Sequence, residues 1–193
     1  MSVGEFDHLA IAARTLAEGA AWLQDRLGVA LQPGGKHPSM GTHNMLVSLG
    51  PREYLELIAI DPDAPAPGRP RWFGLDDFDG PPRIAGWVIR QTPLTAPPGT
   101  RIAQASRGDL RWRITVPDAG QMAGAGAVPM RIDWGDGAHP CDSLPDQGLR
   151  LTGLTLRAPV PLSLPLDDAR IAVATGPARL AARIATPTGA AEL

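Results

Sequence analysis

Nearly every apolar run in this chain is short and closes on a glycine or a proline. Glycine supplies the unusual backbone angles that turns need, and proline blocks the extension of helices and interior strands. A chain punctuated this way is expected to form many strands joined by turns. The 22 glycines and 21 prolines together exceed a fifth of the 193 residues, and they are dispersed between apolar runs without forming a low-complexity block. A hydrophobic content of 44% suffices for the core of one ordinary domain, or of two small modules that share one. The net charge of −2 provides no basic field to draw in phosphate backbones or anionic lipid, so nucleic-acid and membrane partners are not expected. No apolar run approaches the roughly 18 residues of a membrane helix, and MSVGEFDHLA lacks the basic start and apolar core of an export leader. The single Cys141 excludes an internal disulfide and a thiolate zinc cluster, and it suits the cytoplasm, where this chain is expected to reside.

Phe6 to Arg14 alternates loosely and reads as a strand with His8, Ala10 and Ala12 on one face and Leu9 and Ile11 on the other. Thr15-Leu16-Ala17-Glu18 has the form of a capping box. Leu16, Ala20, Leu23 and Leu27 then recur at helical spacing until Gly28 stops the helix. After a turn-rich stretch from Gln32 to Gly41, strands are expected over Thr42 to Leu49 and Glu53 to Ile60. The order is β-α-β-β-β. Asp61 to Pro82, rich in Pro, Asp and Gly and containing Trp72 and Phe73, reads as a connection over a surface or a pocket. Arg83 to Gln91, Leu110 to Val116 and Val128 to Trp134 look like strands with no helix between them, and Leu149 to Pro159 begins what resembles a worn repeat of the start. The expected organisation is a first module over 1–61, a connecting loop over 62–82, a helix-poor β module over 83–148, and a C-terminal β segment over 149–193 that completes the sheet.

Strand alternation places Tyr54, Glu56 and Ile58 on one face. A carboxylate among Leu55, Leu57 and Ile60 is costly unless it is paired, bound to metal or wet. If His8 and Glu56 point into one hollow with His43 beside them, they offer two imidazoles and a carboxylate, a set suited to iron, manganese or zinc with open positions for substrate. The bland alternatives stand beside this: His8 as a hydrogen-bonded histidine at a sheet edge, Glu56 on the wetted outer face, which strand pattern alone favours, and His43 as a surface residue next to the Gly41-Thr42 turn. Asn44, on the opposite face from His43, competes with it for the pocket. Trp72, Trp87, Trp112 and Trp134 suit an apolar pocket wall or plain core packing. Cys141 near His139 is a thin candidate for a thiolate nucleophile. No G-x-S-x-G elbow, phosphate-binding glycine loop or H-E-x-x-H helix is present.

The segments FDHLAIAA, GTHN and YLELIAID, with RIDWGDGAHP and LRWRITVP further on, resemble the vicinal oxygen chelate superfamily and, within it, the glyoxalase-like domain proteins. The resemblance implies an α+β fold in which βαβββ modules form a curved, mostly antiparallel sheet around a cleft. Members place a His on the first strand of a module and a Glu on the fourth, which falls on His8 and Glu56. The implied function is a metal-dependent enzyme of lyase, isomerase or dioxygenase type acting on a small molecule with vicinal oxygens. It would hold a divalent Fe, Mn, Zn or Ni through His8, Glu56 and His43, with His8 and Glu56 catalytic. Asn44, Trp87, Trp134 and His43 would line the substrate site, and Arg90 or Arg111 would orient an acidic substrate. The alternative is a metal-free binder of a drug or aromatic molecule, as among bleomycin-resistance and other antibiotic-binding members. A homodimer follows from the resemblance alone. The chain departs from metal-dependent members where a second module would supply further ligands: Gly86 stands at the position to search, and Asp133 or His139 would have to complete the sphere.

Overall fold

The computed structural model describes residues 3–193. Its elements run β1 (Glu5–Ala12), α1 (Leu16–Leu27), β2 (Gln32–His37), β3 (Thr42–Gly50), β4 (Glu53–Ile60), β5 (Arg83–Arg90), β6 (Thr100–Arg107), β7 (Leu110–Pro117), β8 (Met130–Asp133), β9 (Arg150–Ala158), β10 (Ile171–Thr175), β11 (Arg179–Thr186) and β12 (Gly189–Glu192). The helix begins and ends as its sequence predicts. The Glu18 amide donates to Thr15 Oγ1 at 3.1 Å, and Gly28, left-handed at φ 70°, returns its N–H to the Gln24 carbonyl. Only half of the capping box forms, because the Glu18 carboxylate turns to Arg14 at 2.7 Å. Leu23 and Leu27 bury against Leu55 and Leu57. The helix can lie this close because a Cβ on Gly19 would fall 2.2 Å from Leu57 Cδ1.

The main sheet has eight strands in the order β2-β3-β4-β1-β5-β8-β7-β6. β1 runs parallel to β4 and β5 parallel to β8, the two halves meet antiparallel at β1 and β5, and the remaining ladders are antiparallel. The true internal repeat therefore relates β1–β4 to β5–β8, the second half having lost its helix. The C-terminal strands do not complete this sheet. They build a separate one, β10-β9-β11-β12, whose Leu151, Leu154, Leu156, Ala182 and Ile184 join Leu9, Leu57 and Trp87 in the helix-side core. A ninth strand beside β2 or β6 would leave that apolar face wet, and covering it as a second layer removes the most apolar surface from water.

The eight-stranded sheet curls into a half-barrel, and its edges β2 and β6 come into contact. A Cβ on Gly35 of β2 would lie 2.8 Å from Arg107 Cγ of β6. The inner face carries His8, Ala10, Asn44, Tyr54, Glu56, Ile58, Val88, Trp112, Ile114 and Ile132. The connection expected over a pocket does cross it: a 3₁₀ segment, Trp72–Asp77, lays Trp72 and Phe73 over the hollow. Phe73 is held at φ 57°, a left-handed conformation that costs a non-glycine residue about 1–2 kcal/mol and that the burial of both rings offsets.

Candidate functional site

Asp7 and His8 reach the same interior because the β1–β5 register slips between them. Phe6 pairs with Ile89 and His8 with the adjacent Val88, so Asp7 is an extra residue in a bulge that turns neighbouring side chains to one side. Asp7 is fully buried and gathers four donors. His8 Nδ1 donates to Oδ1 at 2.6 Å, while Arg90 Nη1 at 3.1 Å, Trp134 Nε1 at 3.1 Å and His139 Nε2 at 3.3 Å donate to Oδ2. Burial alone would raise the Asp7 pKa, but the bonds from His139 and His8 outweigh it and hold this carboxyl far below the usual range. His139 caps the 3₁₀ turn that follows it and accepts the Cys141 amide at Nδ1, which leaves its Nε2–H for Asp7.

With Nδ1 committed to Asp7, His8 points Nε2 at Glu56 Oε2, 3.6 Å away. Its ring stacks on Tyr54 with centroids 4.4 Å apart. Glu56 is held from the other side by Asn44. The Gly35 amide donates to Asn44 Oδ1 at 3.0 Å, which fixes the orientation of this side-chain amide and aims Nδ2 at Glu56 Oε1, 2.5 Å away. The same Nδ2 lies 3.4 Å from His37 Nε2. His37 is anchored to Thr42 Oγ1 through Nδ1 at 3.0 Å, between the rings of Trp72 and Trp112. Its Nε2 is 4.0 Å from Glu56 Oε1. His8, His37 and Glu56 line a small, partly open cavity of about 20 Å³ together with Tyr54, Trp72, Phe73, Arg107, Trp112 and Trp134, space for about one water. Burial raises the Tyr54 pKa well above 10, so its hydroxyl remains a donor.

Of the sequence candidates, the structure brings His8, Glu56, Asn44 and Trp134 together and leaves the others elsewhere. His43 lies on the opposite face of β3 from Asn44, beside Ala59, half-buried and outside the cavity. Trp87 is buried in the helix-side core, its Nε1 donating to the Ala127 carbonyl at 3.0 Å. Arg90 is used up by Asp7, Glu5 and the Arg52 carbonyl. Arg111 is exposed and donates to carbonyls of its own turn. Asp133 pairs with Arg113 and accepts from Thr92 and the Gly135 amide, so it closes no sphere. Cys141 gives its Sγ–H to the Glu53 carbonyl, and burial pushes its pKa up to about 12, which ends its case as a nucleophile. Sequence reasoning missed Asp7, His37, Tyr54 as a site donor, and Arg107.

The metal implied by the resemblance finds an incomplete donor set. His8 Nε2 and Glu56 Oε2 face each other, but Oε1 is taken by Asn44, and His43 points away. Gly86 stands where a second-module ligand would sit, and a Cβ there would meet Met122 Cε at 2.9 Å and the Phe73 ring at 3.3 Å. Among the described residues no group of three or more His, Cys, Asp or Glu side chains is placed to hold a metal ion. The residues present do not fit a metal centre in this arrangement.

Burial against the Trp rings lowers the His37 pKa from 6.5 to about 4, despite the pull of Glu56. Between those values the unfolded chain binds a proton that the folded chain refuses, so stability is full above pH 6.5 and falls as the pH drops towards 4. At 1.36 kcal/mol per unit the loss is roughly 3 kcal/mol. Urea unfolding at pH 7 and pH 4 is expected to show it, and His37→Gln to remove most of it. Equal losses in both proteins would mean that His37 is not held neutral.

A mixed eight-stranded half-barrel of two matched halves, with a His from β1 and a Glu from β4 inside it, defines a protein of the vicinal oxygen chelate fold. The glyoxalase-like domain family matches residues 6–164, and the chain belongs to that family. Among solved structures it is similar to a hypothetical protein from Staphylococcus aureus, with 13% identity over 81% of this chain and 70% of that one and a TM-score of 0.54. It is also similar to methylmalonyl-CoA epimerase from Mycobacterium tuberculosis, with 18% identity over 74% of this chain and 95% of that one and a TM-score of 0.47. The first likeness speaks for the fold alone. No curated protein matches the chain. No helix among the described residues is long and apolar enough to cross a membrane.

Proposed function

We propose that the protein is an enzyme of isomerase or lyase type that moves a proton at a carbon beside an oxygen function of a small molecule. Glu56 is the base and His8 the group that exchanges the proton with it. The observation that carries this reading is the 3.6 Å approach of His8 Nε2 to Glu56 Oε2 inside a small cavity walled by aromatic rings. A base works at hydrogen-bond reach of the proton it takes, and Asn44 and Asp7 hold both partners in place from behind. The Tyr54 hydroxyl, kept protonated, is a donor for negative charge developing on substrate oxygen. The Trp72–Asp77 segment would have to lift to admit a substrate and then exclude water again.

A second reading, a metal-free binder of an aromatic or apolar molecule, is favoured by one observation: Trp72, Phe73, Trp112 and Trp134 all line the cavity. Proton exchange decides between the two. Hydroxyacetone, dihydroxyacetone, pyruvate and 2-oxobutyrate would be incubated with the protein in D₂O and followed by proton NMR, with and without EDTA. Protein-dependent loss of the signal next to the carbonyl of at least one compound, unaffected by EDTA, is expected. Exchange that appears only with an added divalent ion would overturn the metal-independent mechanism and make His8 and Glu56 ligands. No exchange with any compound would leave the binder.

A further inference from the structure

The cavity contains more donors than its residues can use. Arg107, at the end of edge strand β6, is 9% exposed, lines the cavity, and makes no side-chain hydrogen bond or ion pair with any described residue. Its stem crosses the bare backbone of Gly35 on β2, and its charge bears on His37 and Tyr54. Trp72 is 3% exposed, lines the same cavity, and has a buried indole N–H with no acceptor. The Trp72 N–H is a buried donor without a partner, a costly feature for a fold to retain. The Arg107 guanidinium keeps its charge at any working pH and is paired with no anion among the described residues.

We infer that Arg107 and Trp72 form an anion subsite for the carboxylate of a two- or three-carbon acid whose adjacent carbon carries a second oxygen. This rests on the proton-transfer reading above and supplies its substrate class. A ligand anion entering beside the Glu56 carboxylate needs a cation to offset both, and among the described residues Arg107 is the arginine that lines the cavity. Arg107, Glu56, His8 and Tyr54 line one small cavity, so a two- or three-carbon acid whose carboxylate sits on Arg107 would bring its adjacent carbon and oxygen to the other three. The small volume of about 20 Å³ favours a small acid over a bulky one. Arginine suits the task because its planar fork matches two carboxylate oxygens.

Isothermal titration with glycolate and its neutral analogue glycolamide tests this. Wild type is expected to bind glycolate, with glycolamide roughly 10- to 100-fold weaker, the range for a lost charge-assisted bond. Arg107→Gln is expected to lose that preference, Arg107→Lys to keep part of it, and Trp72→Phe to weaken glycolate by a few fold. Arg107→Gln loses no hydrogen bond to a described residue and keeps most of the stem that crosses Gly35, so it should melt within a few degrees of wild type. Equal binding of acid and amide, undiminished glycolate binding by Arg107→Gln, or a markedly lower melting temperature for that variant would each overturn the subsite. If glycolate binds through Arg107 but no compound exchanges protons, the subsite stands and the reaction falls. If exchange of the acids proceeds with the same kcat and KM in Arg107→Gln, the subsite falls and the reaction stands.

Discussion

Asp7→Asn is expected to lower the unfolding free energy by about 3–5 kcal/mol, the usual cost of removing one member of a buried charged network. For a chain of this size that corresponds to roughly 6–20 °C in melting temperature. The wild-type carboxylate offers only acceptors, and four donors converge on it. An asparagine keeps one acceptor and brings two N–H groups into the same ring of donors, so at least one contact becomes donor against donor. Arg90 loses its buried counter-charge and keeps only Glu5, which is 77% exposed and screened by water. If the new NH₂ faces His8, the imidazole must present a lone pair at Nδ1 and move its proton to Nε2, where Glu56 accepts it. The variant would then be less stable and have its site locked in the wrong tautomer. Urea unfolding measures the first effect and nitrogen-15 NMR of His8 the second. The double variant with Arg90→Met should recover part of the loss, because it removes the orphaned charge. A loss below 1 kcal/mol for Asp7→Asn would mean that the four donors find other acceptors.

The parts of this site that could be read from sequence are those where strand alternation holds. On β4 it puts Tyr54, Glu56 and Ile58 on one face, and on β3 it sets Asn44 against His43, but it does not say which face is inward; in the fold the Gly35 amide of β2 holds Asn44 at the site. The helix from Thr15 to Gly28 was legible from its caps. Asp7 was not, because alternation assigns it to the face opposite His8 and only the bulge turns it inward. Nothing in EFDHLAIA marks which residue will be the extra one.

His37 and Arg107 share a different cause. They end β2 and β6, whose sequences QPGGKH and TRIAQASR carry too few apolar residues to register as strands. Both are edge strands with half their backbone groups unpaired by the sheet, and such edges are often polar. Their side chains meet at the cavity because the whole sheet curls, a property of eight strands together and of no single segment. The C-terminal strands misled in the opposite way: their apolar pattern is correct, but it does not say whether the partner is the edge of the first sheet or its covered face.

Glu56→Gln is expected to reduce proton exchange by 10²- to 10⁴-fold, the span for losing a positioned general base, or about 3–5 kcal/mol of barrier. The substitution is close to isosteric, and the amide oxygen can still accept from Asn44 Nδ2 if it occupies the Oε1 position, so the fold should be spared. With the oxygen there, the new NH₂ faces His8 Nε2, which can accept from it when neutral. The cavity therefore stays satisfied while its base is gone. Stability within about 1 kcal/mol of wild type is the corresponding expectation for a retained hydrogen-bond count. His8→Gln should cost exchange less, because solvent can return a proton that His8 would otherwise have handled, whereas among the described residues no other carboxylate lines the cavity. An exchange rate in Glu56→Gln within tenfold of wild type would move the base elsewhere. A matched collapse of stability and rate would show that Glu56 serves the fold first. The contrast between an unstable Asp7→Asn and a stable, inactive Glu56→Gln separates the carboxylate that positions His8 from the one that meets the substrate.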